Sequence, residues 1–284
     1  MAKLTITPLP NIPLIQPGDD LAEVILQGCR DAEMLLENGD VFVLAQKIVS
    51  KAEGRLVNLA QVQVSQAALE LARTADKDPR LCQLILNESR EILRTRPGTI
   101  IVEHKLGFVC ANAGIDHSNV SLIPPRPVGA PFGGDKGQGM RATPRPVEWG
   151  EAGEGNEWYL LLPENPDASA DAIRTTLQAA TGKQIGVLII DSHGRAWRIG
   201  TVGVAIGVSG LPAVVDQRGW QDLFGYTLKV TLVAAADELA AAASLVMGQA
   251  AEGTPIVHVR GFPYPLRESA LPELIRPKAQ DMFR

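Results

Sequence analysis

The sequence predicts an α+β protein, the class in which strands and helices mix without a regular βαβ beat. Three observations carry this. Short β-rich runs such as VFVLA (Val41–Ala45) and GVLIID (186–191) are separated by stretches of helical spacing, and the two kinds do not alternate regularly. Neither G-x-G-x-x-G nor G-x-x-x-x-G-K-[ST] occurs, which excludes the common nucleotide-binding loops. Only 5% of the chain is aromatic against 27 Gly and 20 Pro, so the core is built from Ala, Val, Leu and Ile and its elements are broken often.

In chain order, Asp19 and Asp20 cap a helical pattern that runs through LAEVILQGCRDAEMLLENG to a stop at Gly39. VFVLA is a strand, followed by a polar stretch holding Lys47, Ser50, Lys51, Glu53 and Gly54. VQVSQAALELARTA reads as a helix, and Asp78-Pro79 starts another with Leu81, Leu84, Ile85 and Ile92 on one face. A buried strand covers 99–102. Residues 121–157 are dense in Pro and Gly and have no periodicity, and they read as a mobile surface insertion in preference to a lid over a site. Beyond them come a strand at 158–162, a helix at 169–180 and the apolar strand ending at Asp191. The run DSHGRAWRIGTVGVAIGVSGL is punctuated by Gly, LKVTLVAAADELAAAASLVMGQA passes from strand into an Ala-rich helix, and TPIVHVRG closes as a strand.

At 284 residues the chain makes one large domain or two modest ones. Its net charge is −5, and its aromatic residues are few, both against a nucleic-acid ligand. A local basic cluster can still serve a small anion. Cys29, Cys82 and Cys110 are too scattered for a disulfide framework or a zinc site, and read as small buried hydrophobes of a cytoplasmic protein. The N-terminus has no secretory pattern, and no uncharged apolar run is long enough for a membrane span.

Three constellations are candidates for chemistry. In NAGIDHSN (112–119), Asp116, His117, Ser118 and Asn119 crowd behind Gly114. Such oxygen-rich groups suit a hard divalent cation, or equally an Asx-rich turn that caps its own backbone. Asp191 ends an apolar strand before a Gly turn, where it reads as a site carboxylate or as a helix or turn cap, with the Ser192 hydroxyl beside it. Lys47 and Lys51 lie four apart, and Arg195 and Arg198 follow Asp191. These basic groups suit an anion such as a triphosphate, or form a solvated charged face. Spacing alone names no reaction.

The same segments resemble the coenzyme F420:L-glutamate ligase family, the γ-glutamyl ligases of deazaflavin biosynthesis. The matching stretches run in family order: NIPLI, GDVFVLAQKIVSKAEGR, NESREILR, LGFVCANAGIDHSNV, LLPENPDASADAIR, DSHGRAWRIGTVGVAIGVSGL and ADELAAAASLVMGQAAEGTPIVHVRG. The resemblance implies an F420:γ-glutamyl ligase-like fold, with mixed and antiparallel sheets and flanking helices. It implies a single ligase unit over 1–284, made of two interleaved subdomains, without the nitroreductase-like C-terminal domain of some relatives. The family adds L-glutamate to the lactyl carboxylate of the F420 precursor, using GTP, two divalent cations (Mg²⁺ or Mn²⁺) and a monovalent cation.

By the resemblance, Asp116 and Asp191 hold a first metal and Ser192 with Gln249 a second. Asp116, Asp191 and Lys51 are the catalytic set. Asn11, Ile12, Pro13, Leu14, Gln46, Lys47, Lys51, Asn119, Met247, Gly248, Gln249, Ala250, Ala251, Glu252, Gly253 and Thr254 line the GTP site. Arg195 and Arg198 are added on charge and proximity alone, for a substrate phosphate or carboxylate. The family usually has Thr where this chain has Ser192, and it passes quickly over the Pro/Gly-rich insertion. The implied protein is a cytoplasmic homodimer with the F420 precursor and L-glutamate as substrates, and no nucleic acid or membrane partner. Two alternatives stand beside it: a related ligase acting on another carboxylate or amino acid, and a non-catalytic nucleotide-binding relative.

Overall fold

The computed structural model describes residues 3–120 and 158–282. The expected surface insertion at 121–157 therefore lies outside the described residues. In chain order these carry β1 (Thr5–Pro8), α1 (Leu21–Asp31), β2 (Val41–Ala45), α2 (Gln46–Ala52), β3 (Leu56–Asn58), α3 (Gln66–Ala75), α4 (Pro79–Glu88), β4 (Ser89–Arg96), β5 (Thr99–His104) and β6 (Val109–Ala111). Then follow β7 (Trp158–Leu160), α5 (Pro166–Thr181), β8 (Gly186–Gly194), β9 (Thr201–Ser209), β10 (Val215–Asp216), β11 (Leu232–Val233), α6 (Ala235–Met247) and β12 (Ile256–Arg260). The α+β reading holds: the sheets are mixed or antiparallel and the helices flank them.

The principal sheet has the order β1-β12-β2-β8-β9. Among the described residues only β2 and β8 run parallel, in register from Val41↔Gly186 to Ala45↔Ile190. Strand alternation gives the sheet two apolar faces. Phe42, Leu44, Val187 and Ile189 face α1 and α5, while Val41, Val43, Leu188 and Ile190 face α6. A sheet covered on both sides explains why VFVLA and GVLII read as continuous apolar runs.

Strand β9 reconciles the two faces by a bulge. Its register with β8 shifts between Ile189 and Ile190, so Gly207 pairs with the first and Ala205 with the second. As a result Gly203 faces α6 and Gly207 faces α5, although four residues separate them. A Cβ on Gly203 would stand 2.5 Å from the Ala240 carbonyl oxygen, and one on Gly207 2.6 Å from the Pro166 backbone. Helices lie against the strand at both points, and any side chain there would lift them off.

Helix boundaries follow their caps. Asp20 Oδ1 accepts from Ala22 N at 2.9 Å, Ser65 Oγ from Ala68 N, and Asp78 Oδ1 from Arg80 N. Several expected bounds are corrected. The first helix stops at Asp31, eight residues before Gly39, because Glu33 turns to φ 50° and Met34 N closes on Cys29 O. Ile92 lies on β4 and not on the preceding helix, since Ser89 caps α4 in an extended conformation. Asp191 does not end its strand: β8 continues to Gly194 and pairs with β9 throughout.

A second, smaller assembly packs α3 and α4 on the sheet β4-β5-β6 through Ala68, Ala72, Ala75, Cys82, Ile85, Ile100, Val102 and Cys110. All three cysteines are free and buried, and burial raises the Cys29 and Cys110 thiols to about 11 and about 12. They serve as small apolar side chains. No helix among the described residues is long and apolar enough to cross a membrane.

Two histidines mark polar points in this interior. At the start of β2, Asp40 is 1% exposed; Arg260 Nε and Nη2 donate to its oxygens at 2.9 and 2.8 Å, and His258 Nε2 lies 2.9 Å away. Burial pushes the Asp40 carboxyl up, but these partners and the Glu37 N–H outweigh it, and it stays far below the usual carboxylate range. His104, 2% exposed, accepts from Leu106 N at its Nδ1 and stacks on Phe108 at 5.4 Å. Burial, reinforced by Lys105 and Arg55, lowers His104 from 6.5 to about 4.

His104 is thus neutral in the fold but protonates below pH 6.5 in the unfolded chain. Its contribution is complete above pH 6.5 and is lost as pH falls toward 4, by roughly 3 kcal/mol in total. The melting temperature of the wild type is expected to fall over that window. His104→Gln should flatten the slope, and an unchanged slope would reject the assignment.

Candidate functional site

The parallel pair brings two chain ends to the same edge. Ala45 and Ile190 are register partners, so the next residues, Gln46 and Asp191, leave the pair side by side. Helix α2 starts there and presents Lys47 and Lys51 one turn apart. The carboxyl ends of parallel strands are where ligand sites gather in such sheets.

The segment 116–119 comes to this edge from the second assembly. It is anchored by reciprocal backbone bonds between Asp116 and Leu160, at 3.0 and 2.8 Å. Lys47 Nζ lies 2.7 Å from Asp116 Oδ2 and donates to Ser118 Oγ at 2.7 Å. Asp116 Oδ1 accepts from the Ser118 N–H and hydroxyl at 2.7 and 2.8 Å. Burial raises the Asp116 carboxyl, but Lys47 and Ser118 prevail and hold it below its ordinary value. Lys51 Nζ donates to Asn119 O at 2.7 Å. Its own pKa is lowered, first by burial and then by the neighbouring Lys47. Two crowded ammonium groups of this kind are relieved by an anion.

The third component is the loop after α6. Asn119 Nδ2 donates to Ala250 O at 3.1 Å, and Ser192 Oγ to Gln249 Oε1 at 2.8 Å. One contact chain therefore runs from Lys47 through Asp116, Ser118 and Asn119 to Ala250 and Gln249, and on to Ser192. Asp191, beside Ser192, turns to the other face of β8, where its Oδ2 meets His193 Nε2 at 3.0 Å. The loop also folds on itself. Thr254 Oγ1 donates to Met247 O at 2.9 Å, Gly248 turns at φ 71°, and the Glu252 carboxylate accepts from the Ala250 N–H at 2.8 Å. The backbone N–H groups of Ala250, Glu252 and Gln249 together lower the Glu252 pKa. The Glu252 carboxylate thus turns back onto the backbone N–H groups of its own loop.

The donors on this edge are carboxylate, hydroxyl and amide oxygens from Asp116, Asp191, Ser192 and Gln249, the set a hard divalent cation takes. No cluster of three or more His, Cys, Asp or Glu converges among the described residues. A cation held by one or two carboxylates and completed by phosphate oxygens needs no such cluster. Gln46 is 2% exposed; its Oε1 accepts from Ser50 Oγ at 2.9 Å, while its Nε2 is buried without a hydrogen bond.

Other expected residues lie apart from the contact chain. Asn11, at φ 56°, bonds Asp31 of α1, Ile12 packs near Gly28, and Leu14 is 70% exposed. Arg195 and Arg198 occupy the turn of the β8–β9 hairpin, where Arg198 is exposed and Arg195 Nη1 is buried without a hydrogen bond. The residue underrated in sequence is His193. On a strand, the i, i+2 spacing puts it on the same face as Asp191, a signal hidden when the strand is ended at Asp191.

Asn119 joins two loops by a single side-chain bond. Asn119→Ala should speed hydrogen exchange in 117–120 and 249–253 together, with a fall of only about 2–4 °C in melting temperature. Exchange that rises in one loop alone would reject the coupling.

A family model described as F420-0:Gamma-glutamyl ligase matches residues 10–129 and 149–261. The chain is 44% identical over 276 residues to the coenzyme F420:L-glutamate ligase of Methanothermobacter thermautotrophicus, covering 96% of each chain. It is 42% identical to the protein of the same name from Methanopyrus kandleri, over 99% of this chain and 98% of the relative. With that of Archaeoglobus fulgidus the identity is 38%, over 99% and 97%.

Proposed function

The chain belongs to the F420-0:gamma-glutamyl ligase family, and from that premise we propose that it ligates L-glutamate to the F420 precursor in a GTP-dependent reaction. The observation that carries this reading is the contact chain that gathers Lys47, Lys51, Asp116, Asn119, Gln249 and Ser192 at the end of the parallel strand pair. The relatives are named for glutamate ligation. GTP, the metals and the acyl phosphate are what this edge of the fold is suited to serve.

In the proposed reaction the γ-phosphoryl group passes from GTP to an oxygen of the precursor's carboxylate, releasing GDP. The amine of glutamate attacks the acyl carbon, the carbon–oxygen bond to phosphate breaks, the amine gives up a proton, and an amide and inorganic phosphate result. Lys47 and Lys51 face the triphosphate, where their mutual repulsion becomes attraction for the anion. The backbone N–H groups of 249–252 and the buried Gln46 amide supply further donors. Asp116 and Asp191 would hold one divalent cation, and Ser192 with Gln249 a second. When bound, such ions neutralise crowded phosphate oxygens. Arg195, at the hairpin turn, is assigned on its charge to an anionic group of the substrate. The F420:γ-glutamyl ligase-like fold and a cytoplasmic setting belong to the same reading.

Asp116→Asn and Asp191→Asn should each lower ligation, with F420 precursor, L-glutamate, GTP and Mn²⁺, by at least about a hundredfold. Mass spectrometry of the product checks this, and melting temperatures within a few degrees show the fold intact. Near-normal turnover in either variant would sink the metal assignment.

A homodimer completes the reading. The hairpin turn and the segment 217–232 expose Trp197, Ile199, Leu223, Phe224 and Val230, each more than four-fifths exposed, an apolar surface that a second copy would cover. Sedimentation should give twice the 30.4 kDa chain mass, and a paired Leu223→Ser, Phe224→Ser variant should sediment as a monomer. A wild type that sediments as a monomer would reject the dimer.

A further inference from the structure

Behind Asp191 lies a cavity of about 290 Å³. Its three walls come from distant parts of the chain: Phe108 from the second assembly, His193 and Asp237 from β8 and α6, and Leu274, Ile275 and Arg276 from the C-terminal segment. That segment is fastened in place by Lys278, which pairs with Glu91 and reaches Glu103, and by Ile275 packed near Gly107. His193 joins the cavity to the site, since its ring packs on Phe108 at 5.3 Å and its Nε2 lies 3.0 Å from Asp191 Oδ2. Asp237 Oδ1 accepts from the Ala205 N–H at 2.9 Å. Burial raises its pKa.

We infer that this cavity seats the amino-acid co-substrate, with Asp237 receiving its α-amino group and Arg276 a carboxylate. The inference rests on the ligase reading and names the half of the site that reading leaves open. Size favours the smaller of the two organic reactants: at about 290 Å³ the cavity lies at the lower end of the range for drug-sized ligands, about 300 to 1,000 Å³, and suits an amino acid. Charge decides against the nucleotide: Asp237 and Asp281 in the lining repel a polyphosphate, whereas an amino acid carries both signs. Arg276, exposed at the rim, offers a guanidinium fork to a carboxylate, and Leu274 and Ile275 provide apolar contact for a methylene chain.

The test compares the full-length wild type with Arg276→Gln and Asp237→Asn in the complete ligase assay and in calorimetric titration with L-glutamate. Titrations run with and without Mn²⁺ and a non-hydrolysable GTP analogue. Arg276→Gln, an exposed position, should raise the KM for glutamate about tenfold or more while the KM for GTP stays within twofold, and should abolish the glutamate binding heat. Asp237→Asn should act in the same direction with a melting temperature close to wild type. A glutamate KM within twofold in Arg276→Gln overturns the inference, as does a rise in the precursor's KM instead. If the wild type forms no glutamyl product, the ligase reading fails and the titration alone decides. Saturable glutamate binding that Arg276→Gln removes then upholds the cavity assignment, and absence of saturable binding to the wild type overturns it.

Discussion

Parallel pairing of β2 with β8 is the constraint on which the rest of the molecule depends. Five register pairs bring strands about 145 residues apart in sequence to the same edge, pointing the same way. The lysines that follow β2, and the acid and hydroxyl that β8 carries just past its pairing with β2, then lie at one edge of the sheet without any long loop to position them. Were the pair antiparallel, Lys47 and Asp191 would emerge at opposite ends of the sheet. The flanking strands β12 and β9 run antiparallel, and they act as supports: β12 brings back the chain after the 248–254 loop, and β9 braces Asp191 from its far side.

The opposite ends of this sheet divide their electrostatics differently. At the foot of β2, both Asp40 oxygens accept hydrogen bonds, from Arg260 and from the Glu37 N–H, with His258 beside them. At the head, Lys47 and Lys51 crowd one another, the Gln46 amide lacks a partner, and Glu252 lies over its own backbone N–H groups. Buried polar groups that are satisfied hold a fold together, whereas those left partly unsatisfied are the ones a bound molecule can complete.

Much of this was legible in the sequence, for identifiable reasons. VFVLA and GVLII announce central strands because both faces of the sheet are covered, and Asp20 and Asp78 announce helix starts because capping chemistry is local, whereas the helix pattern begun at Val62 starts only after the Ser65 cap. The cluster around Asp116 is legible as either a turn or a cation site, and in the structure Ser118 makes the turn while Lys47 takes the other oxygen. What sequence could not supply was tertiary in origin. Helix α1 ends at Asp31 because Glu33 adopts a left-handed conformation, not because a Gly follows. Strand β8 outruns Asp191 because β9 lies beside it. Phe108, Asp237 and Arg276 line one cavity although up to 168 positions separate them, and no local pattern reports such a meeting.

The sheet order also governs how the chain reaches its fold. Strand β2, apolar at every position, has its two neighbours at 186–194 and 256–260, so during synthesis well over a hundred residues emerge before the first can cover it. Pairing across such separations is slow, and an uncovered apolar strand is the segment most prone to join another chain. The smaller assembly of α3, α4 and β4–β6 is built from contacts within residues 66–115 and can form early. Completion of the principal sheet, and with it assembly of the site, waits on the last thirty residues, since β12 must insert between β1 and β2 before either has a finished edge.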